Sequence, residues 1–89
     1  MFSAINFKEL ENQIILATYS NLMLGARIVL VDADNGLQMP EPVANITSPA
    51  PNGTVRLRLP AAFRPGSYYL RALNGHGSGI AQSSVFSVG

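Results

Sequence analysis

The sequence contains no cysteine and no tryptophan. The lack of cysteine excludes a disulfide framework and a thiolate metal site, and it leaves the redox compartment open. Charge is also scarce, because only 12% of the residues are charged against about 25% in an average soluble domain. A surface with so little charge favours association with other proteins.

Two further absences restrict the partners. The formal net charge is +1, which excludes the strongly basic balance of a general nucleic-acid-binding domain. No run of residues approaches the roughly 18 apolar residues of a membrane span, and no segment has the basic-then-apolar pattern of a secretion signal. We therefore expect neither a nucleic-acid nor a membrane partner, and the sequence leaves the cellular location unknown.

The few charges are unevenly distributed along the chain. Acidic residues are confined to the first half and basic residues dominate the second, so that copies of the chain could pack head to tail. Chance is an equally good explanation in so small a set. The first half holds Lys8, Glu9, Glu11, Arg27, Asp32, Asp34 and Glu41, and the second holds Arg56, Arg58, Arg64 and Arg71.

Eighty-nine residues suit a single domain spanning 1–89, too short for both a core and a deep catalytic cleft. His76 lies among glycines whose amides could cradle a phosphate, but a phosphate loop needs a helix after it, and a hairpin loop is the better interpretation. Asp32, Asp34 and Asn35 resemble the opening of a calcium loop but lack its later glutamate, which favours a turn. The sequence predicts no enzyme, no cofactor and no metal.

The pattern of the chain is that of short β-strands separated by turns. Val55, Leu57 and Leu59 alternate with polar residues, as in a strand with one buried face. Asn35-Gly36 is the strongest hairpin signal, and the prolines between residues 37 and 53 restrict that segment to an edge strand, a crossover or a loop. The predicted strands cover residues 4–7, 13–19, 26–31, a short segment after 36, 54–59, 67–73 and 82–88.

Three motifs in the second half resemble a known family. They are Pro65-Gly66-Ser67-Tyr68-Tyr69-Leu70-Arg71, then Asn74-Gly75, then Ser84-Val85-Phe86-Ser87-Val88. Over residues 45–88 this pattern resembles immunoglobulin-like sandwiches of the early-set type, which are appended to surface proteins and to sugar-acting enzymes.

The resemblance implies an all-β fold, an immunoglobulin-like antiparallel β-sandwich of about seven short strands. It also implies that Tyr68 is a corner tyrosine whose hydroxyl returns to the backbone. The absence of a cysteine pair and of tryptophan departs from the antibody-type domain.

The residues that point away from the predicted core are the candidate interface. If Ile28 and Leu30 point inward, the strand they share is apolar on both faces. Tyrosine, arginine and exposed aliphatic residues together are typical of protein interfaces, although scattered surface hydrophobic residues are also common. The candidate interface residues are Arg27, Val29, Val31, Arg56, Arg58, Tyr69 and Arg71.

These observations lead to two functional hypotheses. The first is a non-enzymatic structural or interaction protein that docks onto itself or onto a larger assembly, such as a virion or phage particle that it decorates. The alternative is an immunoglobulin-like binding module of a larger secreted or surface protein that recognises carbohydrate or protein. A sugar platform would usually expose more aromatic residues than the one tyrosine predicted here.

Overall fold

The computed structural model describes residues 3–47, 50, 52–59 and 64–88. It confirms the predicted all-β class, and no helix occurs in these ranges. Eight strands are described: β1 (Ala4–Glu11), β2 (Ile14–Ser20), β3 (Arg27–Asp32), β4 (Gln38–Asn45), β5 (Gly53–Arg58), β6 (Gly66–Leu73), β7 (Gly79–Gln82) and β8 (Phe86–Val88). The described residues therefore include no helix that could span a membrane.

The strands form two antiparallel sheets. Sheet A has the order β1-β2-β5, and sheet B has the order β4-β3-β6-β7, with β8 also pairing with β6. The chain therefore crosses from sheet A to sheet B between β2 and β3. It returns to sheet A between β4 and β5 and crosses to sheet B again between β5 and β6. The two sheets enclose a common apolar core, which makes the domain a β-sandwich.

The core consists of the inward-facing residues of both sheets. Leu57 and Leu59 are buried, as the strand alternation predicted, and Val55 is half-buried. Tyr68, Leu70 and Phe86 of sheet B are buried in the same core. The rings of Phe7 and Phe86 stack with their centroids 4.1 Å apart and tie the first strand of sheet A to the last strand of sheet B. The remaining buried members of this core are Ile5, Ile15, Ala17, Tyr19, Leu22, Ala26, Ile28, Leu30, Ile46 and Ala72.

The tightest hairpin does not lie at the predicted position. Glu11 pairs with Ile14, so only Asn12 and Gln13 connect β1 to β2. Both have positive φ, 52° and 65°, as a two-residue type I′ turn requires. The expected tight turn at Asn35-Gly36 is instead part of the five-residue connection between β3 and β4. Only Gly36 has positive φ there, and its N–H donates to the Asp32 carbonyl at 2.8 Å.

The predicted final strand is divided in two. β7 begins at Gly79, inside the expected loop, and residues 83–85 separate it from β8. Ser83 fills the break, because its hydroxyl accepts the Leu70 N–H and its own N–H donates to the Leu70 carbonyl, at 2.9 and 2.8 Å. The Ser83 hydroxyl also donates to the Ser84 carbonyl. One side chain thus replaces a missing step of the ladder.

The proline-rich segment forms an edge strand, which is one of the three arrangements that its composition allowed. β4 contains Pro40 and Pro42 and is the outer strand of sheet B, where missing N–H donors are tolerated. Its pairing with β3 shifts register between Val43 and Gln38, so part of β4 leaves the ladder. Residues 48, 49 and 51 of the predicted crossover lie outside the described residues.

Candidate interaction surfaces

The seven candidate interface residues lie on two opposite sides of the sandwich. Arg27, Val29 and Val31 are on β3 and pair with Leu73, Arg71 and Tyr69 of β6 in sheet B. Arg56 and Arg58 are on β5 in sheet A. We call the outer surface of sheet A face A and that of sheet B face B. The candidates therefore form two surfaces rather than one.

The expected exposure of the valines on face B is wrong. Val29 and Val31 belong to a separate cluster with Leu73 and the half-buried Tyr69, outside the main core, as expected for the outward side of the strand. However, Val29 is only 2% exposed and Val31 is fully buried. Packing among the side chains on face B covers them, which strand alternation alone does not reveal. Val29 and Val31 are thus a buried cluster beneath face B and are not themselves accessible to a partner.

Tyr69 and Arg71 lie over this buried cluster and contact each other. The Arg71 guanidinium donates from Nη2 to the Tyr69 hydroxyl at 3.0 Å, and its central carbon lies 5.7 Å from the centre of the Tyr69 ring. The contact thus combines a cation–π interaction with a hydrogen bond. Both side chains are half-buried, so their conformations are restricted before any partner arrives.

A shallow groove adjoins Arg71 on face B. It is lined by Arg71 and by Gly79, Ile80, Ala81 and Gln82 of β7, with a volume of about 370 Å³. Ile80 is 38% exposed there, and Val43, at the opposite edge on β4, is 43% exposed. Exposed aliphatic side chains thus lie on both sides of the Tyr69–Arg71 pair. The sequence analysis did not identify either of them.

Face A carries a charge pattern that the sequence analysis missed. Arg56 and Arg58 are exposed, as predicted. Strand pairing places Glu9 and Leu16 in one row with Arg56, and Glu11 and Ile14 in the next row with Arg58. A bulge at Lys8 shifts the register of β1, and the glutamates therefore point outward. The signal was the alternation of Glu9 and Glu11, which the expected end of the first strand at residue 7 concealed.

The central strand of face A presents apolar side chains between the charges. Ile14 and Leu16 are half-buried, with acidic residues on one side and basic residues on the other. A shallow groove of about 240 Å³ lies among Glu9, Glu11, Asn12, Ile14, Leu16 and Arg56. Face A is thus an apolar stripe between two edges of opposite charge.

The hairpin loop around His76 uses its amides internally. The Asn74 side-chain oxygen accepts the N–H groups of His76 and Ser78 at 2.9 and 3.0 Å, and the Gly77 N–H donates to the Asn74 carbonyl. Those donors are therefore not free to hold an anion. The predicted hairpin loop is confirmed.

The turn after β3 follows the same principle. The Asp32 side chain accepts the Asp34 N–H at 2.8 Å, and the Asn35 side chain accepts the Leu37 N–H at 2.9 Å. These are local side-chain turns, as predicted for this sequence. Across the described ranges, no group of three or more histidine, cysteine or acidic side chains is close enough to hold a metal.

Tyr68 makes the contact that the corner resemblance implied. Its ring is buried in the core, and its hydroxyl donates to the Arg64 carbonyl at 2.9 Å. Burial raises the pKa of Tyr68 above its ordinary value of 10.0, and the negative charge of Asp32 adds to that rise. The neutral hydroxyl is thus kept in a structural role.

Comparison with family models, with curated proteins and with solved structures found no match to this chain.

Proposed function

We propose that this chain is an immunoglobulin-like interaction module without enzymatic activity, which docks through face B onto a protein of a larger assembly. The observation that carries the proposal is the Tyr69–Arg71 pair, fixed over Val29, Val31 and Leu73. Tyrosine and arginine dominate the energetics of protein interfaces. A pair that is already ordered loses less side-chain entropy on binding than two free side chains.

The arrangement of strands supports the immunoglobulin-like assignment. When β1 to β8 are assigned in chain order to A, B, C, C′, E, F and a divided G, sheet A holds A, B and E and sheet B holds C′, C, F and G. That distribution has a C′ strand beside C, as in variable-type domains, and no D strand among the residues that the structure describes. The Tyr68 bond to the Arg64 carbonyl matches the tyrosine corner at the start of strand F.

The chemistry of face B indicates the kind of surface it contacts. Arg27 and Arg71 are cationic, and Ile80 and Val43 are exposed apolar side chains. A partner protein that presents a carboxylate beside an apolar side chain complements both features. We take a virion or phage particle as the first assembly to test, since a small domain of low charge suits a subunit that decorates a lattice.

Site-specific photocrosslinking tests the proposal. A photoreactive residue at Gln82, which is exposed beside Arg71 in the groove, is expected to capture one defined protein from isolated virions or phage particles. Replacing Tyr69 and Arg71 with alanine should remove most of that product. The same photoreactive residue at Asn6, which is exposed on face A, is the matched control and should not capture that protein.

Two results would contradict this docking mode. Capture at Gln82 that is unaffected by the double alanine variant would show that the pair does not bind. Glycan binding that the same variant abolishes would instead identify the alternative, a carbohydrate-recognising module of a larger secreted or surface protein.

A further inference from the structure

Face A, on the opposite side from the proposed docking surface, is complementary to itself. Its three strands give two rows of matched character: Glu9, Leu16 and Arg56 form one row, and Glu11, Ile14 and Arg58 form the other. Each row runs from an acid through an aliphatic residue to an arginine. The two rows therefore have the same polarity across the sheet.

That polarity selects one way for two copies to meet. If two copies of face A stack with a two-fold axis parallel to β2, the β1 of one copy lies over the β5 of the other. Glu9 then faces Arg56 of the partner copy and Leu16 faces its counterpart, since this axis preserves position along the strands. A two-fold axis perpendicular to the strands would place acid over acid and arginine over arginine, which costs energy.

We propose that face A is a self-docking surface that binds a second copy of this chain, in parallel orientation, about a two-fold axis along β2. The interface is isologous, so each charge pair occurs twice. Stacked sheets lie about 10 Å apart, a separation that brings long glutamate and arginine side chains within reach of each other. Ile14 and Leu16 supply the apolar centre and the charged edges supply the orientation.

The size of face A determines the strength of this association. Three strands about 4.8 Å apart and about seven residues long cover roughly 300–350 Å² on each copy. Stable specific interfaces bury at least about 1,200 Å² in total. We therefore expect weak self-association, visible at concentrations of about 0.1–1 mM, that becomes strong only where copies are held close together on a lattice.

Charge reversal on face A provides the test, with sedimentation equilibrium as the measurement. The variant with Glu9→Arg and Glu11→Arg and the variant with Arg56→Glu and Arg58→Glu should each remain monomeric at about 1 mM. A mixture of the two should form a one-to-one complex. The variant that carries all four substitutions keeps the net charge of +1 and should self-associate like the wild type, because its pattern is only exchanged between the edges.

Salt dependence and folding controls complete the experiment. Raising the ionic strength from 0.1 M to 1 M shortens the screening length from about 10 Å to about 3 Å. We therefore expect the dissociation constant of the dimer to increase at least about tenfold. Far-UV circular dichroism and thermal unfolding verify that each variant is folded. The mixing arm then shows whether a monomeric variant has lost its partner or its structure.

Two outcomes would overturn the proposal. One is a wild-type chain that remains monomeric at about 1 mM while the oppositely charged variants also fail to combine. The other is self-association of both single-sign variants at wild-type strength, which would place the contact elsewhere. Neither outcome affects docking through face B, because photocrosslinking at Gln82 with the Tyr69 and Arg71 variants tests that surface separately.

Discussion

The two outer faces of the sandwich use aliphatic side chains in different ways. On face B, Val29 and Val31 are covered, and an ordered tyrosine and arginine form the surface above them. On face A, Ile14 and Leu16 are only half-buried and lie between edges of opposite charge. Val29 and Val31 are therefore part of a small second core, whereas Leu16 on face A is available for contact.

The largest expected effect separates the two faces directly. Val31→Asp places an unpaired charge at a fully buried position, and we expect a loss of more than about 4 kcal/mol in the free energy of unfolding. Leu16→Asp on face A should cost only about 1 kcal/mol, since that side chain already contacts water. Urea denaturation measures both.

Val43→Asp is the matched control for the buried valine. Val43 is on the same face and 43% exposed, so its replacement should cost no more than about 1 kcal/mol. Equal losses for Val31→Asp and Val43→Asp would show that the covered cluster of face B does not contribute to stability as its burial indicates.

The broken edge of sheet B gives the next effect. Ser83→Ala removes the hydroxyl that accepts the buried Leu70 N–H, and we expect destabilisation of about 1–3 kcal/mol because a buried donor is left without a partner. Ser84→Ala, at an exposed neighbouring position, should change the free energy of unfolding by less than about 0.5 kcal/mol. The rate of amide hydrogen exchange at Leu70 should rise in Ser83→Ala and stay unchanged in Ser84→Ala.

The Tyr68 hydroxyl links stability to pH. Tyr68→Phe removes the bond to the Arg64 carbonyl and should cost about 1 kcal/mol at pH 7. The pKa of Tyr68 is raised in the folded state, so the folded protein retains a proton that the unfolded chain loses near pH 10. That contribution to stability is complete below pH 10 and is lost as the pH rises through the folded pKa.

We therefore expect the wild-type free energy of unfolding to fall more steeply above pH 10 than that of Tyr68→Phe, measured by urea denaturation between pH 7 and 11. Tyr69→Phe is the control that keeps the bond between the Tyr68 hydroxyl and the Arg64 carbonyl intact. Parallel pH profiles for wild type and Tyr68→Phe would contradict the assignment of the raised pKa to this hydroxyl.

The smallest expected effect is a gain in sheet A. Gln13 has φ of 65°, a conformation that glycine adopts without the penalty of a Cβ atom. Gln13→Gly creates the Asn-Gly pair that type I′ turns prefer and should stabilise the domain by about 0.5–1 kcal/mol. Gln38→Gly, in an exposed position of β4, should destabilise it instead, and thermal unfolding distinguishes the two signs.

Much of the fold followed from local pattern. The alternation around Leu57 predicted the buried row and the outward arginines, and the turn residues predicted the separation into short strands. The position of the tightest hairpin was not predictable in the same way, because Gln13 is an unusual residue for positive φ and only the pairing of Glu11 with Ile14 shows the turn.

The candidate surfaces were less predictable than the core. Alternation correctly placed Val29 and Val31 on the outer side of β3, but exposure depends on the neighbours that cover a side chain, and those neighbours come from another strand. Glu9 and Glu11 were missed because the first strand was predicted to end at residue 7, whereas β1 continues to Glu11 beyond a bulge at Lys8. Docking on face B and self-association through face A remain predictions for the experiments above.

By itself the sequence determined the all-β class and the inward row of the core, since period-two alternation and turn chemistry act over a few residues. The bond from the Tyr68 hydroxyl back to the backbone was implied by a family resemblance. The tertiary structure decided which outward residues meet. Glu9 and Arg56 are 47 positions apart in the chain yet share one row of sheet A through Leu16. Strand register is set by the packing of the whole sandwich, and only that register turns scattered charges into a patterned surface.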